Sequence, residues 1–208
     1  MEGDLGDSHV VVTERGDDGE WNAVRLSRAQ KPNSAPERRR IRDAGGEVNY
    51  LMGDARVGEF LSLIHTICRC CEKKVTNAPI TGGINMSRAL GDLEYKQPRV
   101  TQLHNESQKL GMDLQTGVRE GAEPTGDLIS NEPHTKVRRL RGRTLLLLAS
   151  DGIGQGREAE QAAKEAAEMW DEGASAKQIA DRLAKQAELE PAADNCTVVV
   201  VCLDDVDP

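Results

Sequence analysis

Residues 144–152 read Thr-Leu-Leu-Leu-Leu-Ala-Ser-Asp-Gly, and this stretch limits the possible folds more than any other. Leu145 to Leu148 form a continuous apolar run, too short for a helix and bounded by Arg143 and Gly152, which predicts a core strand buried on both faces. The run delivers Asp151 to the mouth of that strand, and Gly152 lets the chain turn sharply and its backbone come close to whatever the acid holds. The same pieces recur in reverse near the C-terminus, where Asp194 and Asn195 precede the apolar run Val198 to Cys202. If the two strands pair, Asp151 and Asp194 come together at one end of a sheet. Close carboxylates share either a proton or a cation. The plainer reading is that each acid caps a turn.

A chain of 208 residues suits one domain with a real core. That core has to be aliphatic, because the aromatic residues are only Trp21, Trp170, Tyr50, Tyr95 and Phe60. Acids exceed bases by 35 to 27, and the net charge of −8 argues against a general nucleic-acid binder and for cations or basic partners. No segment approaches the ~18 apolar residues of a membrane span, and no signal-peptide pattern opens the chain. Five cysteines without a pairing framework fit a reducing compartment. The expectation is a soluble, intracellular protein, cytoplasmic or nuclear, that binds neither nucleic acid nor membrane.

In chain order, Val10 to Thr13 reads as a strand, Gly16 to Gly19 as a hairpin turn and Trp21 to Leu26 as the returning strand. The first strand lies so near Met1 that the domain is expected to start partway through. Pro36 to Ala44 reads as a short helix, capped near Ser34 or Ala35 and ended by Gly45-Gly46. Its basic run, Arg38, Arg39, Arg40 and Arg42, is either a solvated face or a phosphate contact. From Gly58 onwards Phe60, Leu63, Ile64, Ile67 and Cys71 fall at helical spacing. His65, Cys68, Cys70 and Cys71 match no usual zinc spacing, so core or partner-facing thiols are the better reading. Gly82 to Asp92 is compact and turn-rich, whereas Gln97 to Asp127 shows no sustained period and reads as an exposed loop or disordered insertion.

The tail is plainer. Ala159, Ala162, Ala163, Ala166, Ala167 and Trp170 make one helical face, ended by Gly173. Ser175 then caps a second helix striped by Ile179, Ala180, Leu183, Ala184 and Ala187, and Pro191 closes it. Both helices read as packing against a sheet and carry no chemistry.

Six stretches together carry a family resemblance. They are Gly6–Val12 (GDSHVVV), Lys31–Val48 (KPNSAPERRRIRDAGGEV), Gly82–Lys96 (GGINMSRALGDLEYK), Leu128–Val137 (LISNEPHTKV), Leu145–Ile153 (LLLLASDGI) and Asp194–Val201 (DNCTVVVV). In this order they resemble the C-terminal part of the metal-dependent protein serine/threonine phosphatases of the PPM family, the type 2C phosphatases. The resemblance spans nearly the whole of residues 1–208, with insertions or divergent loops at about 49–79 and 97–127.

The resemblance implies an α+β fold, a β-sandwich of antiparallel sheets flanked by helices, with a metal site at one end. It implies two divalent cations, Mg²⁺ or Mn²⁺, bridging a water that attacks the phosphorus of phosphoserine or phosphothreonine in protein substrates. Hard cations suit carboxylate oxygens, and a cation pair both activates water and neutralises phosphoryl charge. By resemblance, Asp151 and Asp194 hold the second metal of the core pair, and Asp7 helps bind a weaker third. Asp92 supports the sheet end without ligating. Arg38, Arg39 and Arg40 sit on the flap beside the active site. A monomer is expected.

There are departures as well. No DGHGG-like stretch occurs in the 208 residues, nor does the family's upstream phosphate-gripping arginine. Gly154 and Gln155 stand where the family places an aromatic and an acid, which removes an anionic ligand. Cation affinity follows ligand charge and number, so these residues alone are expected to make a poor catalyst or none. Three readings stay open: a truncated form of a working phosphatase, an inactive phosphatase-like binding module, and a fragment that does not fold alone.

Overall fold

The computed structural model describes residues 2–51, 54–58, 83–111, 116–154, 158–190 and 194–206. The helix expected beyond Gly58, the thiols Cys68, Cys70 and Cys71 with His65, and Gln155 lie outside them. The chain divides into two compact units, residues 1–29 with 133–208 and residues 30–132.

The first unit is built on the strand expected at Leu145. Strands β1 (Glu2–Asp4), β2 (His9–Arg15), β3 (Trp21–Arg25), β6 (His134–Lys136), β7 (Gly142–Ala149) and β8 (Val198–Val206) belong to it. Four of them form one antiparallel sheet in the order β3-β2-β7-β8, while β1 pairs with β6 separately. The hairpin between β2 and β3 turns at Gly16–Gly19, where Gly19 adopts φ +83°, a conformation that costs glycine little. Helices α3 (Ala159–Asp171) and α4 (Ala176–Glu188) pack on one face of the sheet. Ser175 closes a capping box with Gln178 at the start of α4, which satisfies two otherwise orphaned amides.

Strand periodicity decides which residues meet those helices. Val11, Leu145, Leu147 and Ala149 point into the helix-covered core with the alanine stripe of α3 and with Ile179 and Leu183 of α4. Small alanines let α3 sit close to the sheet. Trp21 and Trp170 stack beside them, with centroids 6.0 Å apart. Asp171 accepts from Trp21 Nε1 at 2.9 Å, and the Arg143 guanidinium lies 4.0 Å over the Trp170 ring.

The opposite face differs from the expectation that β7 is buried on both sides. Register sets Val24 beside Val12, Val12 beside Leu146 and Leu146 beside Val201, with Val10, Leu148 and Val199 in the next row. Leu148 is 38% exposed and Val199 50% exposed. A cavity of about 300 Å³ opens here, lined by Val10, Val12, Leu26, Leu140, Leu146 and Leu148 and also by Glu2 and Gly3 of β1, Lys136 of β6 and Arg138. The run carries no polar alternation because both faces are apolar, yet within the described residues helices cover only one of them.

The second unit holds α1 (Ala35–Asp43), the hairpin β4 (Val48–Leu51) and β5 (Asp54–Val57), and α2 (Arg99–Leu110). Helix α1 starts at the Ser34 cap and ends at Gly45, φ +88°, as the sequence predicts. The reading of Gln97 to Asp127 as loop or disorder is corrected: α2 lies inside that span and buries Val100 and His104. Its apolar face is only that wide, so the period is masked by polar residues on three sides. Ile41, Val57, Val100, Leu128 and Ile129 form this unit's core. The class that the resemblance implies, α+β with antiparallel sheets flanked by helices, is the class found. No helix among the described residues is long and apolar enough to cross a membrane.

Candidate functional site

The antiparallel registers bring three strand ends together. His9 at the start of β2 lies opposite Ala149 at the end of β7, and Ala149 lies opposite Val198 at the start of β8. Asp7 therefore precedes one strand, Asp151 follows the next and Asp194 precedes the third, all at the same sheet end. Asp7 and Asp151 are half-buried and Asp194 is exposed. Asp151 opens a short 3-10 turn, Asp151–Gly154.

Ser150 laces the two turns that carry Asp151 and Asp194. Its hydroxyl donates to the Asn195 carbonyl at 3.1 Å and accepts from the Thr197 amide at 3.0 Å, while its own amide donates to the Thr197 carbonyl. Gly152 completes the junction. A Cβ built there would sit 2.7 Å from the Asn195 oxygen and 3.2 Å from the Asp194 oxygen. The glycine expected to bring backbone near the acids does so by close approach to the Asp194–Asn195 peptide. Both obstacles are backbone, so Gly152→Ala should destabilise by about 1–3 kcal/mol. Thermal unfolding measures it, and a wild-type transition would show that the junction has slack.

The carboxylates themselves are less tightly gathered than the backbone. Asp194 Oδ1 accepts from the Asn195 amide at 2.7 Å, the behaviour of a turn-capping acid. Among the described residues, the group of His, Cys, Asp or Glu side chains whose ligand atoms all lie within 4.8 Å of one another is Glu2, Asp4 and His134. The trio Asp7, Asp151 and Asp194 does not converge that closely. Three carboxylates at one sheet end offer the hard oxygen donors that divalent cations take, and they supply only part of the six or so ligands of such a site.

His9 is a sheet-end residue that sequence reasoning passed over, although its place directly after Asp7-Ser8 marked it. Burial, then the charge of Arg25, pulls its imidazole below the ordinary histidine value, against the opposing pull of Asp7 and Glu160. Its Nδ1 is buried without a hydrogen-bond partner. Burial and Arg25 thus disfavour the charged ring beside the Asp7 carboxylate.

The arginines expected on a flap divide into two kinds. Arg38 and Arg39 are exposed on α1. Arg40 is taken up structurally: it donates to the Asp127, Ser87 and Leu128 carbonyls and pairs with Glu37. Arg88, of the Ser87–Asp92 motif, clamps the other Glu37 oxygen at 2.6 Å and donates to the Glu132 carbonyl. Ser87 donates to the Gln30 carbonyl, and Lys96 donates to the Ala89 carbonyl. Asp92 sits at φ 55° and heads the 3-10 turn Leu93–Tyr95. The most distinctive motif of the sequence is therefore a loop-tying device in the second unit.

The sheet is antiparallel, is backed by two helices and carries Asp7, Asp151 and Asp194 at one end, within an α+β fold. The family model for Protein phosphatase 2C matches residues 3–196, and the chain belongs to that family, which is metal-dependent. A curated relative, the probable protein phosphatase 2C 59 of Arabidopsis thaliana, is 29% identical over 199 residues, covering 95% of this chain and 43% of its own. The probable protein phosphatase 2C 42 of Oryza sativa subsp. japonica is 28% identical over 152 residues, covering 73% of this chain and 29% of its own. A crystal structure of a phosphatase from a pathogenic strain of Toxoplasma gondii superposes at TM-score 0.58 with 22% identity, covering 99% of this chain and 49% of that one. The chain thus spans less than half the length of these relatives.

Proposed function

We propose that this chain is the C-terminal portion of a metal-dependent protein serine/threonine phosphatase domain, acting on phosphoserine and phosphothreonine in proteins. The observation that carries this reading is the shared sheet end, where β2, β7 and β8 present Asp7, Asp151 and Asp194. Asp151 and Asp194 would hold the second cation of a core pair, and Asp7 a weaker third. Mg²⁺ or Mn²⁺ is the class of ion, and bound there it supplies an activated water and neutralises phosphoryl charge. The residues' own part is positional. The Ser150 latch and the Gly152 contact keep the two acid-bearing turns in register. Arg38 and Arg39 offer the phosphoprotein an anion-binding surface. The working form is monomeric and intracellular.

The test is Mn²⁺-dependent phosphate release from a phosphothreonine peptide by the full-length protein, with and without Asp151→Asn. Activity should fall by more than the roughly 10- to 100-fold that loss of a metal ligand's supporting hydrogen bond costs. Unchanged turnover would sink the ligand assignment. A full-length protein with no Mn²⁺-dependent turnover at all would make the chain a binding module.

A further inference from the structure

Strand β1 pairs with β6 so that Asp4 lies opposite His134 and Glu2 opposite Lys136. Alternation along a strand puts these four side chains on one face. His134 Nδ1 lies 2.9 Å from Asp4 Oδ1, and the other Asp4 oxygen accepts from the Arg28 amide at 3.4 Å. The Asp4 side chain is only 8% exposed. Ligand atoms of Glu2, Asp4 and His134 all lie within 4.8 Å of one another.

Glu2 is the residue that makes this more than an ion pair. Both of its carboxylate oxygens are buried, and the polar side chain nearest them is another carboxylate, Asp4. A buried carboxylate without a donor is costly, and a second carboxylate beside it makes it more so. Burial first, and then the Asp4 carboxylate, pushes the Glu2 carboxyl up, while His134 and Lys136 pull it down less. Lys136 is exposed, so its ammonium stays hydrated instead of filling the gap.

Either a shared proton or a cation relieves such a cluster. The imidazole favours the cation. Two carboxylates with one imidazole nitrogen form a donor set for first-row transition ions and a poor one for Mg²⁺ or Ca²⁺. Ligands of a tetrahedral Zn²⁺ at bonds of about 2.0 Å stand roughly 3.3 Å apart, so small side-chain shifts would suffice. We propose that Glu2, Asp4 and His134 form a binding site for a divalent first-row transition cation of the Zn²⁺ type, with water completing its coordination. The site uses none of the sheet-end aspartates and is independent of the phosphatase reading.

The test is calorimetric titration of the 208-residue chain with Zn²⁺ in metal-free buffer at pH 7.5, alongside Co²⁺ monitored by visible absorption. One equivalent should bind, millimolar Mg²⁺ should not displace it, and the tight site should survive in Asp151→Asn. Glu2→Gln and His134→Gln should each weaken binding about tenfold or more. Unchanged Zn²⁺ affinity in both variants, with native circular dichroism, would overturn the site. So would the absence of saturable binding by the natively folded chain, which would assign the cluster to a shared proton. Should either variant fail to fold, the ring-nitrogen resonances of His134 in the unsubstituted chain decide the point. Resonances that do not move on adding Zn²⁺ would refute the proposal.

Discussion

Replacing Glu37 by alanine is expected to destabilise the unit formed by residues 30–132 by about 3–5 kcal/mol. The Glu37 side chain is 6% exposed and is clamped by Arg88 at 2.6 Å and Arg40 at 3.1 Å. Removing it leaves two guanidinium groups, each largely buried, without their counter-charge, and an uncompensated buried charge is costlier than the pair is favourable. Glu37→Gln keeps the shape and should cost less. Burial alone would raise the Glu37 carboxyl, but hydrogen bonds from Arg88 and Ser87 and the charges of Arg40 and Arg88 hold it below the ordinary value of 4.5. The folded value is the depressed one, so this contribution is fully present above the ordinary carboxylate range and is lost as pH falls through the folded value. Both tryptophans, Trp21 and Trp170, lie in the other unit. Denaturant unfolding followed by circular dichroism should therefore shift in Glu37→Ala while the tryptophan transition moves less. Coincident wild-type curves would show the clamp to be energetically idle.

Leu147→Ala should cost about 2–5 kcal/mol, whereas Leu148→Ala in the same chain should cost under about 1 kcal/mol. The two are neighbours of identical chemistry on one strand. Leu147 is fully buried under α3 and α4, and Leu148 is 38% exposed on the face those helices leave uncovered. The contrast also gauges what the outer face lacks. In a polypeptide that lays further structure over Val10, Leu146, Leu148 and Val201, the cost of Leu148→Ala should climb toward that of Leu147→Ala. Equal costs in the 208-residue chain would mean the outer face is already covered. Chemical denaturation of both variants settles the comparison.

Much of the fold was legible because short-range chemistry dictated it. The hairpin at Gly16–Gly19, the Ser34 and Ser175 caps, the alanine face of α3 and the apolar runs of β7 and β8 each announce themselves through turn residues or period. Helix α2 was not legible, because only Val100 and His104 of its twelve residues are buried and two inward positions leave no stripe to read. The arginine run was likewise legible only in part. Arg40 and its exposed neighbours Arg38 and Arg39 look alike in sequence. Only packing shows that Arg40 turns inward to three carbonyls that lie far along the chain.

The candidate site shows the same division. The sequence by itself determined that Asp151 and Asp194 flank apolar strands and that Asp7 precedes another, since a carboxylate beside a core run and a glycine is a local pattern. It also determined that β7 has two apolar faces, because no polar residue interrupts Leu145 to Leu148. Tertiary structure alone decided that the three acids share one sheet end, because that depends on antiparallel pairing between strands far apart in the chain, His9 with Ala149 and Ala149 with Val198. It alone decided that Gly152 must be small, because the Asp194–Asn195 peptide presses against it. It alone brought Glu2 and Asp4 to His134, since side chains separated by some 130 positions meet only when distant strands close a ladder and exclude water from between them.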